Sequence, residues 1–181
     1  MDILVTKRLT LRPPLEVDAD DVALHLSNWN VTRMLARVPF PYDHQDAIEW
    51  FKRCDKAGDE KIIFTIHRER LIGVVGIEQR GIGPVLGYWL AEPWWDHGYM
   101  TEAVGAVLGH YFAELPNATV YSSVFADNPA SLALQKRLGF RVTGGGEQYS
   151  TARQAMVSDI HTELTAQRFT GSNCAAYDVA A

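Results

Sequence analysis

The sequence predicts a mixed α+β domain built on a mainly antiparallel sheet. Strand-like runs follow one another across short turns, as hairpins do. Helix-like runs with clear starts and stops are interspersed among them rather than following every strand, which argues against a fully parallel sheet. Glycines 81, 83 and 87 do not make a dinucleotide fingerprint, because their spacing is wrong and the following YWLA is a strand, not a helix start.

Taken in order, residues 3–12, ILVTKRLTLR, alternate well enough for one strand and stop at Pro13 and Pro14. Asp18 or Asp20 can cap a helix through about Asn28, with Val22, Leu24 and Leu26 among its apolar residues. After the proline-punctuated RVPFPYD, Asp43 caps a second helix that ends at Gly58. KIIFTIHR and LIGVVGIEQ flank a Glu-Arg turn as a hairpin, and GIGP breaks the chain before the strand VLGYWLA. A helix then runs from about Tyr99 to Leu115, stopped by Pro116 and Asn117. TVYSSVFA is a strand, and DNPASLALQKRLG a helix with a strong start at Asn128-Pro129 and a strong stop at Gly139. FRVTG and ARQAMVSDIHTEL are the last two strands, joined by a loop containing Gly144, Gly145 and Gly146. Residues 1–164 form one domain; residues 165–181 carry weak signals and are expected to be a poorly ordered C-terminal tail.

Composition narrows the function. At 181 residues, 47% hydrophobic and 22% charged, the chain is an ordinary globular one with room for a sizeable core. No apolar run reaches the roughly 18 residues of a membrane span. Met1 to Val5 has neither the basic region nor the apolar run of a secretory signal, so a cytoplasmic location is expected. Cys54 and Cys174 make no disulfide framework or zinc spacing, and the six histidines form no HExxH pair, so no metal is expected. The net charge of -5 lacks the basic surplus of a nucleic-acid binder.

Two segments carry candidate chemistry. EPWWDHGYMTEA, residues 92–103, takes a strand end into a helix start and holds no lysine or arginine. Helix-start amides lack internal partners and sit at the positive end of the dipole, so they can hold a phosphate without a basic side chain. Gly98 removes the Cβ that would block close approach. By itself the segment is better described as an ordinary corner. In DNPASLALQKRLGF, Asn128 is a good N-cap and Ser131 falls three residues later, on the same side of the first turn. Taken alone, that pair is capping chemistry.

Together the segments resemble the GNAT superfamily of acyl-CoA-dependent N-acyltransferases, and within it the RimJ/RimL type of ribosomal-protein N-terminal acetyltransferase. TKRLTLRP looks like that subgroup's opening strand, LARVPFPY with DAIEW its second-helix region, IGVVGI and GYWLAEPWWDHGYMTEAV its core, and DNPASLALQKRLGF its last helix, over residues 3–164. The resemblance implies the GNAT fold: a mostly antiparallel sheet of about seven strands, splayed in the middle, with about four helices on both faces. It implies acetyl-CoA as co-substrate, without a metal. The family's Gln/Arg-x-x-Gly-x-Gly/Ala loop aligns on Trp95 to Met100, which assigns the pyrophosphate to Asp96, His97, Gly98, Tyr99, Met100 and Thr101; Met100 stands where the family prefers a small residue. VLGYWLA and TVYSSVFA would be the splayed strands, with pantetheine pairing to backbone at Trp89, Leu90 and Ala91. A backbone amide near Leu90 would stabilise the oxyanion. By the same pattern Asn128 contacts pantetheine, Ser131 lies near the thioester sulfur as general acid, and Arg137 or Lys136 approaches the adenosine 3′-phosphate. Glu147, in the expected final loop, is the first candidate general base and Glu78 the second.

The acceptor implied is a primary amine, first a protein or peptide N-terminal α-amine. The alternatives are a small amine (polyamine, amino acid or antibiotic) or, without catalysis, a CoA-binding module. The subgroup is often dimeric, and the edge left by the last strands is where a homodimer would pair.

Overall fold

The computed structural model describes residues 2–56, 61–170 and 177–180. The chain enters as two short strands, β1 (Ile3–Val5) and β2 (Thr10–Arg12), paired antiparallel with Leu4 opposite Leu11. The single strand expected over 3–12 is thus folded on itself. Thr6 makes the turn: its hydroxyl donates to Glu102 Oε1 at 2.7 Å and accepts the Leu9 N–H at 3.0 Å. A carboxylate distant in sequence overrides the local alternation.

The first predicted helix is also divided. A 3-10 turn at Glu16–Asp18 leads into α1 (Ala19–Leu26), and a separate turn, α2 (Trp29–Thr32), follows. Asp18 does not cap α1; its carboxylate is buried and accepts Arg12 Nη2 at 2.7 Å. Asn28, expected as the helix end, instead caps α2 by accepting the Asn30 N–H at 2.9 Å. α3 (His44–Lys56) starts on a reciprocal cap, in which Asp43 and Asp46 each accept the other's N–H at 3.0 Å. The stop expected at Gly58, and Cys174, lie outside the described residues.

β3 (Lys61–Arg68) and β4 (Arg70–Arg80) form the predicted hairpin about Glu69, and β5 (Gly83–Leu90) continues the meander. α4 (Tyr99–Glu114), β6 (Thr119–Phe125) and α5 (Pro129–Leu138) follow close to their expected limits. Gly139 ends α5 at φ 102°, where a Cβ would lie 2.2 Å from the Arg168 carbonyl oxygen.

The end of the chain departs most from expectation. β7 (Arg141–Ser150) and β8 (Ala155–Thr165) pair along nearly their whole length, with one bulge after Val142. Gly144 to Gly146 therefore lie inside a strand, not in a loop. At Gly145 a Cβ would come 2.9 Å from the Asp159 carbonyl oxygen, so close approach to β8 accounts for that glycine. In the segment expected as a tail, β9 (Asp178–Ala180) pairs with β1, placing Val179 opposite Leu4.

The strands form one sheet in the order β7-β8-β6-β5-β4-β3-β2-β1-β9, antiparallel throughout except for β5 beside β6. Among the described residues, the division of the first strand and the addition of β9 bring the expected seven strands to nine, and α2 brings four helices to five. Val104, Val107 and Leu108 of α4 and Leu138 of α5 pack with Phe64, Val75 and Leu86 in the main core. Val22 and Leu26 of α1 and Ala47 and Phe51 of α3 make a second core on the other face, against Leu71. Among the described residues no helix is long and apolar enough to cross a membrane.

Candidate active site

β5 and β6 share a single parallel register pair, Val85 with Tyr121. Ser122 Oγ adds one bridge by donating to the Leu86 carbonyl at 3.1 Å. Beyond this vertex the strands separate. The Ala91 N–H bonds the Ile72 carbonyl at 2.8 Å, on the β4 side. Alternation along a strand then turns the backbone groups of Trp89 toward β4 as well, and those of Leu86, Tyr88 and Leu90 toward the gap. A Cβ at Gly73 would lie 2.5 Å from the Trp89 carbonyl oxygen, consistent with that orientation. Of the three residues expected to offer backbone to pantetheine, Leu90 alone faces the gap, and its carbonyl accepts Trp95 Nε1 at 2.7 Å. Trp89 and Ala91 are held in the β4 ladder.

The loop at the top of the gap has the predicted strand-to-helix form. Gly98 sits at φ 76° immediately before α4 and supplies no side-chain cap. The Glu102 N–H is bonded to the Gly98 carbonyl at 3.1 Å, so the amides of Tyr99, Met100 and Thr101 precede the first internal helix bond. Asp96, Gly98, Tyr99, Met100 and Thr101 line the cavity; His97 does not, and its ring stacks on Tyr99 at 5.6 Å. Met100 is buried in the main core as well as bordering the cavity. Its side chain is thus accommodated by packing.

Sequence reasoning missed the support behind this loop. Arg8 Nη1 donates to the His97 carbonyl at 2.9 Å and Arg8 Nε to buried Glu102 at 2.7 Å. Its guanidinium lies 4.5 Å from the centre of the Tyr99 ring. A segment with no cation of its own is braced by one from the β1–β2 turn, some ninety residues away; no local pattern announces it.

At the vertex, Asn128 caps α5 by accepting the Ser131 N–H at 3.1 Å, as the capping reading requires. Ser131 Oγ lies 2.7 Å from the hydroxyl of Tyr88, a second residue missed in the sequence. Burial pushes the Tyr88 hydroxyl pKa up, while its hydrogen bond to Ser131 pulls it down; burial is the larger effect. Beneath them Gln135 donates to Ser122 Oγ at 2.9 Å and accepts from Thr162 Oγ1 at 2.6 Å. This buried network ties α5 to β6 and β8 at the point where the strands part.

A cavity of about 1210 Å³ runs through the gap, from the loop and α5 to a chamber under α1, α2 and α3. Asn128, Ser131 and Arg137 line it, whereas Lys136 is exposed away from it. Glu147 does not line it. Gln148 borders the cavity and accepts Ser123 Oγ at 3.2 Å, so the pleat sends its neighbour Glu147 to the opposite, exposed face. Glu78 does border the chamber, where it accepts Arg37 at 2.7 Å and Arg80 at 3.0 Å. Among the described residues, no cluster of three His, Cys, Asp or Glu side chains could hold a metal ion.

Comparison with known proteins agrees with this geometry. The model for the acetyltransferase (GNAT) domain matches residues 8–141. The uncharacterized N-acetyltransferase YoaA of Bacillus subtilis (strain 168) is 30% identical over 155 residues, 81% of this chain and 87% of the relative. The uncharacterized N-acetyltransferase p20 of Bacillus licheniformis is 27% identical over 178 residues, 94% of this chain and all of the relative. Among solved structures, RimL, a ribosomal α-N-protein acetyltransferase in complex with coenzyme A, superposes with a TM-score of 0.79 at 18% identity, over 91% of this chain and 98% of that one.

Proposed function

The chain belongs to the acetyltransferase (GNAT) family, with acetyl-CoA as co-substrate, and from that premise we propose that it acetylates an α-amine, of a peptide or protein N-terminus, by direct attack in a ternary complex. The observation that carries the α-amine is the state of the acceptor-side carboxylates. Glu78 is paired with two arginines and Glu147 faces outward. An α-amine, with pKa near 7.8, is already neutral in roughly a tenth of molecules at pH 7, whereas an alkylamine near 10.4 is neutral in only about 0.04%. Asp127 is likewise held by Arg33 and Arg153, and Asp46 serves in the α3 cap, so the carboxylates described at this site suit the first far better.

The remaining steps use groups at the gap. The pyrophosphate rests on the first-turn amides of α4, where Gly98 permits close approach and Arg8 steadies the loop. Pantetheine enters between β5 and β6 and meets the edge groups of Tyr88 and Leu90, beside Asn128, which lines the cavity. The Leu90 N–H is the donor for the developing oxyanion. Ser131 Oγ, held by Tyr88 Oη at 2.7 Å, protonates the departing thiolate, and the proton that the attacking amine sheds on forming the amide restores the serine hydroxyl through that hydrogen bond. A thiolate with pKa near the 8.5 of cysteine leaves tolerably without help, so this assistance is modest. Arg137 lies on the same side, suited to the 3′-phosphate.

A small amine is the second reading, favoured by closure of the chamber: Arg153 binds Asp127 through two contacts of 2.9 and 3.1 Å, and the Thr151 N–H bonds the Ala36 carbonyl at 2.8 Å. Thiol release from acetyl-CoA, measured against N-terminal peptides, polyamines and amino acids, tests both. Peptide turnover supports the first reading; turnover of small amines alone replaces it with the second.

A further inference from the structure

The acceptor chamber has one chemical character. The pleat puts Val74, Gly76 and Glu78 of β4 opposite Trp89, Gly87 and Val85 of β5, and all six line the cavity. Gly76 and Gly87 face each other across the ladder, so the floor is a trough with no side chain at its centre. A Cβ at Gly87 would meet nothing within 4 Å, because the space beside it is the chamber itself. Across from this floor stand Leu35, Val38 and Trp50, partly buried and packed on the second core.

Of the three carboxylates described at its margin, two are matched by guanidiniums and the third caps a helix. Glu78 is bound by Arg37 and Arg80. Asp127 is bound by Arg153 and Arg33. One Asp46 oxygen accepts the Asp43 N–H in the α3 cap. Arg37, Arg53 and Arg80 all line the same cavity. A polyamine or aminoglycoside would bring further ammonium groups into a field already supplied with guanidiniums, beside carboxylates that are engaged.

We infer that the acceptor is an amine flanked by an aliphatic or aromatic group and carrying no second cation, with the apolar group lying on the Gly76–Gly87 trough. This rests on the acetyl-transfer reading for the identity of the reacting group, and narrows it. The same chemistry is offered by a peptide opening on Phe or Leu and by a free hydrophobic monoamine.

Calorimetry on the CoA-bound protein tests the inference without requiring turnover. A peptide opening on Phe, phenylethylamine and spermidine are titrated separately. One of the two apolar amines should bind at least about 10-fold more tightly than spermidine, and which one does so identifies the source. Gly87→Val, whose Cβ meets nothing within 4 Å and whose branches enter the trough, and Trp50→Ala, which removes part of the facing wall, should each weaken that binding about 10-fold; CoA affinity serves as the control for folding. Arg37→Gln with Arg80→Gln, which takes two guanidiniums away from Glu78 and from the cavity wall, should raise spermidine affinity. Spermidine binding as tightly as both apolar amines, or apolar binding indifferent to Gly87→Val and Trp50→Ala, would overturn the inference. Tight apolar binding with no acetylation in any arm would sustain it while overturning the acetyl-transfer reading.

Discussion

The two sides of the cleft are made of different material. On the side proposed for CoA the available groups are main-chain amides at the start of α4 and along the free edge of β5, organised by one glycine and one N-cap. On the acceptor side they are side chains brought together from α1, α3, β4 and β5. The difference teaches that a ligand held by backbone leaves its mark in short local patterns, while a chamber built from side chains is defined only by the topology.

The two sides should therefore fail in different ways. The largest expected effect is at Gly98. Gly98→Val forces a β-branched residue to φ 76° and crowds the amides of the loop; CoA affinity by calorimetry should fall about 100-fold, the order of effect of losing a backbone anion donor. Next come the residues at the vertex. Ser131→Ala and Tyr88→Phe should each lower kcat about 10- to 100-fold with CoA affinity little changed. Because the two hydroxyls are 2.7 Å apart and act in series, the double variant should be hardly worse than either single one. Additive losses would separate Tyr88 from the proton path. The raised Tyr88 pKa keeps its hydroxyl protonated past pH 10, so no alkaline loss of kcat from this group should appear below that.

Smaller effects report on the scaffold that holds the sides apart. Gln135→Leu takes one partner from each of the buried Ser122 and Thr162 hydroxyls, which keep their bonds to the Leu86 and Ser122 carbonyls, and should cost about 1 kcal/mol in denaturant unfolding. Arg8→Ala leaves Glu102 buried without its cation, though the partly exposed guanidinium discounts the pair to about 1 kcal/mol; the KM for acetyl-CoA should rise with it. The smallest effect is at His67, whose pKa is lowered by burial first and then by Arg12. Its folded pKa lies below the unfolded 6.5, so the stabilisation is complete above pH 6.5 and is lost as pH falls through the folded value. His67→Gln should flatten this part of the stability curve.

The same division explains what the sequence disclosed. Gly98, and Asn128 with Ser131, are contiguous signals at helix starts, and the structure places them along one cavity. Glu147 was misplaced because three glycines in a row look like a loop, whereas pairing with β8 extends the strand to Ser150 and the pleat then exposes Glu147. Tyr88 and Ser131 lie 43 residues apart, and Arg8 and Glu102 lie 94 apart. Neither pair has any spacing that a sequence pattern could reveal. The division of residues 3–12 into two strands has the same origin, a contact between Thr6 and Glu102.

The most direct test of acetyl transfer at this cleft is release of free thiol from acetyl-CoA by the wild-type protein, with a peptide opening on Phe as acceptor and mass spectrometry of the product. The structure predicts thiol release that depends on the peptide, with one acetyl group on its α-nitrogen and a loss of rate of about 10-fold or more in Ser131→Ala. Tight binding of CoA with no acetyl transfer to the peptide, to monoamines or to spermidine would contradict it, and would leave a CoA-binding module in place of an enzyme.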